Sequence, residues 1–155
     1  MQKKTKEVAI QRATKDDMLL ILKLITEVFA GEQKIPVELI PIPEEKNPQW
    51  WCMKQDGRLI GTTAVYSEGE ERHMGRFALT PEARGQGLGT QLIRQAIEDV
   101  FAGEDTDVIY GEARDATVHI LRKLGGEVTG EAVPFYEGTV TPMILRKTDF
   151  TKSNR

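Results

Sequence analysis

Polar and apolar positions alternate over Glu7 to Arg12 (EVAIQR), the period-two signature of a short strand. Thr14-Lys-Asp-Asp17 then resembles a capping box with Asp in place of the usual Glu, which predicts a helix from Asp16 to Ala30. Along it Leu20, Leu24 and Val28, joined by Ile21, Ile25 and Phe29, recur at helical spacing, and Gly31 offers a residue free to take positive φ at the C-terminus. Four prolines within the thirteen residues Pro36 to Pro48 exclude a long regular element, leaving room for one helical turn at Val37 to Ile40.

Strand character returns at Trp50 to Gln55 and Leu59 to Tyr66, with the hairpin signal Asp56-Gly57 between them. Glu68-Gly-Glu-Glu71 turns the chain into a third strand, Arg72 to Leu79, which makes an antiparallel meander. Beyond a glycine-rich stretch, Leu88, Leu92, Ile93, Ala96, Ile97, Val100 and Phe101 define an amphipathic helix that ends at Gly103. Val108 to Tyr110 reads as a buried strand, Asp115 caps a short helix through Leu124, and Gly125-Gly126 stops it. Glu127 to Lys147 gives two more strands around a turn near Glu137-Gly138. The order β-α-β-β-β-α-β-α-β-β describes an α+β domain with one mixed, mostly antiparallel central sheet flanked by helices.

Composition narrows the partners. The chain has 155 residues, 39% hydrophobic and 29% charged, which suits one globular domain over residues 1–155. A net charge of -3 gives no general reason to expect nucleic acid or an anionic membrane as partner. No run of 18 apolar residues occurs, and the start MQKKTKEVAIQRATKDD lacks the apolar core of a secretory signal, so a cytoplasmic location is expected. Cys52 is the only cysteine, so no intramolecular disulfide forms; within Trp50-Trp51-Cys52-Met53 it reads as a small buried hydrophobe rather than a nucleophile.

The candidate chemistry lies in Thr80-Pro-Glu-Ala-Arg-Gly-Gln-Gly-Leu-Gly-Thr90. A strand entering a glycine-rich loop and then a helix leaves several amide N–H groups at the positive end of the helix dipole, unobstructed by Cβ atoms. That is an anion site suited to phosphate or pyrophosphate. A Walker A loop is excluded, because Leu88 follows Gly87 and Thr90 follows Gly89 where Lys then Ser or Thr would be needed. A dinucleotide fingerprint is excluded too, since Gly85, Gly87 and Gly89 spell G-x-G-x-G after an antiparallel meander.

Arg84-Gly85-Gln86-Gly87-Leu88-Gly89 does resemble the R/Q-x-x-G-x-G/A signature of the GNAT superfamily of N-acetyltransferases. Ala113-Arg114-Asp115-Ala116-Thr117-Val118-His119-Ile120-Leu121-Arg122-Lys123-Leu124-Gly125 is similar to that family's second motif, and the element order is similar to its core topology. The resemblance implies a GNAT fold, acetyl-CoA as co-substrate with no metal, and acetyl transfer to an amine by direct attack in a ternary complex. It places the CoA pyrophosphate on Arg84, Gly85, Gln86, Gly87, Leu88, Gly89 and Thr90. The backbone of Phe77, Ala78 and Leu79 would pair with pantetheine as an added strand.

Direct transfer needs a neutral amine, stabilisation of an oxyanion and a proton for the leaving thiolate. Counting back four residues from Phe77, to where family members that acetylate protein lysine carry a glutamate base, gives His73. An imidazole, with an unperturbed pKa of about 6.5, suits that role. Glu112, across the expected splay of the sheet, is the alternative base. The tyrosine that many relatives carry in Phe-Tyr-x-x-Leu-Gly is Leu121 here. Three explanations are open: Tyr136 or Tyr110 substitutes, water or the amine's own proton suffices, or the chain is a catalytically silent acyl-CoA-binding module. His119 reads as a surface or CoA-flanking residue. Trp50, Trp51 and Ile35 to Ile42 are candidate walls for the acceptor, and Glu38, Glu44 and Glu45 candidate attractors of a cation, with core packing and a solvated loop as the plainer readings. A homodimer through an exposed sheet edge at Val140 to Lys147 is a further expectation.

Overall fold

The computed structural model describes residues 7–153; the polar start, Met1 to Lys6, lies outside them. Its strands are β1 (Val8–Arg12), β2 (Gln49–Gln55), β3 (Arg58–Glu68), β4 (Glu71–Leu79), β5 (Val108–Ala113), β6 (Glu127–Val128), β7 (Val133–Pro134) and β8 (Thr139–Arg146). They form a sheet ordered β1-β2-β3-β4-β5-β8-β6, with β7 also beside β8. Only the β4–β5 contact is parallel, so the sheet is mixed and mostly antiparallel as the sequence predicts. Tight turns fold β2 to β4 into the meander, and Asp56 and Gly57, at φ 53° and 78°, supply the left-handed pair that a two-residue hairpin requires.

Four helices cover the sheet: α1 (Met18–Ile25), α2 (Leu88–Gly103), α3 (Asp115–Lys123) and α4 (Lys147–Ser153). Period two divides the strand side chains between two cores. Trp51, Met53, Val65 and Met74 meet Leu92, Ile93, Ile97 and Phe101 of α2 on one face. Trp50, Ala64 and Ala78 meet Ile21, Leu24, Ile25 and Val28 on the other.

The first helix departs from the predicted Asp16 to Ala30. A 3₁₀ turn at Lys15–Asp17 leads into α1, and a π-helical stretch, Thr26–Glu32, follows. Its wider turn brings the Gln33 N–H to the Val28 carbonyl, five residues back, at 3.1 Å. The end of the helical path is thereby carried past Gly31, and the left-handed residue is Lys34, at φ 60°. Leu20, counted on the apolar stripe, is 51% exposed, whereas Ile21 and Ile25 are fully buried.

At the C-terminal end the sequence reading needs three corrections. The N-cap position of α3 is Arg114 rather than Asp115, which is its first residue. The stretch read as two strands holds β6, β7 and β8, and the chain continues into α4, whose Phe150 packs on Phe101 at a ring separation of 5.8 Å. The Val140 to Lys147 segment is no free edge, because β8 is flanked by β5 on one side and by β6 and β7 on the other. Gly125-Gly126 stops α3 and also permits close packing: a Cβ on Gly125, at φ 104°, would lie 2.7 Å from the Asp149 carbonyl oxygen of α4.

The Thr14–Asp17 capping box forms as read. Thr14 N–H donates to Asp17 Oδ2 at 2.8 Å, and Lys54 Nζ lies 2.8 Å from Oδ1, bridging to β2. The Lys54 ammonium, then the Thr14 amide, hold the Asp17 carboxyl below its ordinary range. A carboxylate whose folded pKa is depressed stabilises the fold above its unfolded pKa of about 3.9 and loses that contribution as pH falls through the folded value. Asp17→Asn is therefore expected to be less stable than wild type at pH 7, by about 1 kcal/mol for a weakened cap, with the gap closing below about pH 4. Urea unfolding at pH 7 and pH 3 checks this; an equal gap at both would remove the ionised carboxylate from the account.

Candidate functional site

β4 and β5 run together only where Arg72, His73 and Met74 face Ile109, Tyr110 and Gly111. Just beyond, β4 carries a bulge: Gly75 faces Ala64 and Ala78 faces Thr62, so Arg76 and Phe77 share Thr63. The bulge places Arg76 at φ 55°, a left-handed conformation unfavourable for a side chain with a Cβ. Its guanidinium is tied down: Nε donates to the Ile40 carbonyl at 2.6 Å, Nη2 to that of Leu39 at 3.2 Å, and the group lies 5.8 Å over the Tyr66 ring. The re-aimed β4 parts from β5, and from Gly75 to Leu79 its β5-facing edge has no strand partner among the described residues.

Two cavities, of about 560 and 500 Å³, lie along this gap and share Phe29, Gln33 and Arg114 as common walls. The π-helical stretch contributes Phe29 to both, so the unusual turn of the first helix forms part of their junction.

The smaller cavity holds the glycine loop. Gly85 and Gly87 are left-handed, at φ 76° and 78°, and a Cβ on either would meet only open space. Gly89 does a different job: a Cβ there would lie 2.7 Å from the Phe77 ring, so its bareness lets α2 sit close to β4. The N-terminal amides of α2 consequently open beside unobstructed backbone, the arrangement that binds an anion. Phe77, Ala78, Leu79, Arg84, Gly85, Gly87, Gly89 and Thr90 of the expected cofactor set line this cavity; Gln86 and Leu88 do not. Gln86 Nε2 instead donates to the Glu82 carbonyl at 2.7 Å, and Leu88 packs against the core. Arg84 Nη2 pairs with Glu32 Oε2 at 2.9 Å and donates to the Leu79 carbonyl at 3.0 Å, linking the loop to the first helix and to β4. His119 lines the same cavity.

The larger cavity holds His73 and Glu112, the two residues considered as base. His73 Nε2 lies 3.0 Å from Glu71 Oε1, and its ring stacks on Tyr110 at 5.3 Å. Tyr136 is absent from both linings: it sits in the β7–β8 turn at φ 48°, is 47% exposed, and leaves Phe135 to line the larger cavity. Of the expected acceptor walls, Ile35, Leu39 and Ile40 do line it, whereas Trp50 and Trp51 belong to the two cores. Its carboxylates are Glu68, Glu71 and Glu112 rather than Glu38, Glu44 or Glu45. The Lys46 ammonium lowers the Glu68 pKa by its ion pair. Cys52 lines neither cavity, and burial pushes its thiol pKa up, away from nucleophilic character.

Sequence reasoning missed Tyr66, which lines the larger cavity with its ring against Gly75. The Glu68–Glu71 turn held a clue, since that hairpin register puts Tyr66 opposite His73. Burial pushes the Tyr66 phenol pKa up, opposed by Arg76, so it stays protonated at neutral pH. Gln33 and the side chain of Arg114 were missed as well.

The family profile for "Acetyltransferase (GNAT) family" matches residues 18–126, well over half of the sequence. The chain belongs to the GNAT acetyltransferase family. No curated protein matches it in sequence. Among solved structures, Escherichia coli ElaA is similar at a TM-score of 0.74 and 17% identity, over 90% of this chain and 99% of that one. A Pseudomonas aeruginosa acyl-CoA N-acyltransferase gives 0.71 and 22%, also over 90% and 99%. A Vibrio cholerae spermidine N-acetyltransferase, in complex with CoA and spermine, gives 0.70 and 17%, over 93% and 98%. At these identities the structures establish the shared GNAT fold. Among the described residues this GNAT member has no helix long and apolar enough to cross a membrane.

Proposed function

We propose that this GNAT-family chain transfers the acetyl group of acetyl-CoA to a primary amine by direct attack within a ternary complex. The observation that carries the reading is the β4–β5 gap, with a phosphate-ready helix N-terminus on one side and a cavity holding candidate proton acceptors on the other. CoA occupies the smaller cavity, its pyrophosphate on the amides around Gly85, Gly87 and Gly89, its pantetheine along the unpaired edge of β4 at Phe77 to Leu79. The Vibrio spermidine enzyme, which shares the fold and holds CoA, supports CoA as the cofactor. The amine enters the larger cavity and meets the thioester at the shared wall.

In the reaction the amine nitrogen forms a bond to the thioester carbonyl carbon while His73, or alternatively Glu112, accepts the amine's proton. The tetrahedral oxyanion then collapses, the C–S bond breaks, and the thiolate takes up a proton. Tyr66, protonated and inside the larger cavity, is better placed to return that proton than Tyr136 in its exposed turn.

The second reading, a catalytically silent acyl-CoA-binding module, draws support from Leu121, a buried leucine where many relatives carry the acid tyrosine. Calorimetric titration with CoA, followed by thiol release from acetyl-CoA over a broad amine panel, separates the two. The enzyme reading expects binding and turnover; the module expects binding alone. Gly87→Val, which puts a side chain into the open space of the loop, is expected to abolish CoA binding while the protein remains folded. Wild type that fails to bind CoA would overturn both readings.

A further inference from the structure

Gln33 and Arg114 are both part of the wall common to the two cavities, and each carries a buried polar atom with no hydrogen-bond partner: Gln33 Oε1 and Arg114 Nη2. Buried polar groups are rarely left unpaired, and an unpaired guanidinium N–H beside a ligand cavity points to a ligand oxygen, above all an anionic one. The guanidinium is held in place. It lies 5.3 Å over the Phe135 ring, and Nη1 fills the space above Gly138, where a Cβ would come within 2.6 Å. The Gln33 backbone carbonyl accepts the Glu137 N–H at 3.5 Å, which brings the same turn to the other member of the pair.

We propose that this pair recognises an α-amino carboxylate, so that the acceptor is an amino acid. Arg114 binds the carboxylate, and Gln33 Oε1 accepts a hydrogen bond from the amine next to it. One orphan donor and one orphan acceptor, carried by two residues of the shared wall, match the two ends of that group. Glu71 and Glu112 on the same cavity favour the amine end, and the apolar side chains of Phe29, Ile35, Leu39, Ile40 and Phe135 suit an aliphatic or aromatic side chain. A polyamine has no anionic group to offer Arg114. The proposal rests on the acetyl-transfer reading, in which the amine reaches the thioester at this wall.

The test compares leucine with 3-methylbutylamine, the same molecule without its carboxylate, in wild type and Arg114→Met. Wild type is expected to prefer leucine in kcat/KM by at least about 10²-fold, because a site built for a charged group rejects the analogue that leaves it unpaired. Arg114→Met is expected to lower kcat/KM for leucine on the order of 10²-fold more than for 3-methylbutylamine, so that most of the wild-type preference is lost. Equal use of the two compounds by wild type, or an equal loss for both in the variant, overturns the proposal while acetyl transfer stands. A binding readout is independent of turnover: with CoA present, leucine should raise the Tm of wild type and not of Arg114→Met. No shift in wild type would also overturn the proposal. CoA titration of the variant confirms that it is folded and keeps its cofactor site.

Discussion

His73→Ala is expected to lower kcat for acetyl transfer by about 10² to 10⁴-fold, the range over which a positioned general base contributes, while CoA affinity measured by calorimetry stays at the wild-type value. The separation follows from placement, since His73 belongs to the larger cavity and the glycine loop to the smaller one. The imidazole stands at the last stretch where β4 and β5 are paired, immediately before the gap. Three contacts orient it: Glu71 at Nε2, Tyr110 stacked on the ring, and Tyr66 tilted against it at 6.1 Å. On the proposed reading, His73 donating Nε2–H to Glu71 would leave Nδ1 with the lone pair to receive the amine's proton. A further readout distinguishes a base from a packing residue: Glu71→Ala, which removes the acceptor at Nε2 and frees the ring, should reproduce part of the kcat defect with CoA affinity unchanged. If His73→Ala keeps its turnover and Glu112→Gln loses it, the base is Glu112.

Trp51→Ala is expected to produce the largest loss of stability, about 3–5 kcal/mol, with a fall in Tm of roughly 10 °C. The side chain is completely buried at the centre of β2, among the residues that join the sheet to α2. Its Nε1–H donates to Asp99 Oδ2 at 2.7 Å, and the Arg12 guanidinium covers the ring at 5.0 Å. Truncation therefore leaves a cavity, and it also removes one partner from a part-buried carboxylate. Trp51→Phe keeps most of the volume and loses the hydrogen bond, so a cost near 1–2 kcal/mol is expected and the difference measures packing. Urea unfolding of both variants is the check; a loss below about 1 kcal/mol for Trp51→Ala would mean that the surrounding core collapses into the space.

How much of the site was legible can be argued residue by residue. The geometry of the loop from Arg84 to Thr90 was readable because it is local: strand, glycines and amphipathic helix follow one another in the chain. His73 was named by its spacing from Phe77 under the resemblance and Glu112 by its place across the expected splay, and both line the larger cavity. Tyr136 was named from its sequence neighbourhood, and only the path of the β7–β8 turn shows that Phe135 faces the cavity instead.

By itself the sequence determined the meander, the glycine loop and the amphipathic α2, since each follows from turn chemistry or from periodicity within one segment. The tertiary structure decided the rest. Nothing local favours a left-handed Arg76; the bulge is held by carbonyls of Leu39 and Ile40, and on it depends the parting of β4 from β5. The π-helical turn that moves the helix end from Gly31 to Lys34 likewise breaks no sequence rule that could have announced it. Gln33 and Arg114 lie far apart in the chain and meet at the shared wall only because the first helix and the end of β5 converge over the gap. Which polar atoms a fold leaves unpaired depends on all the contacts around them, and those exist only once the chain has packed.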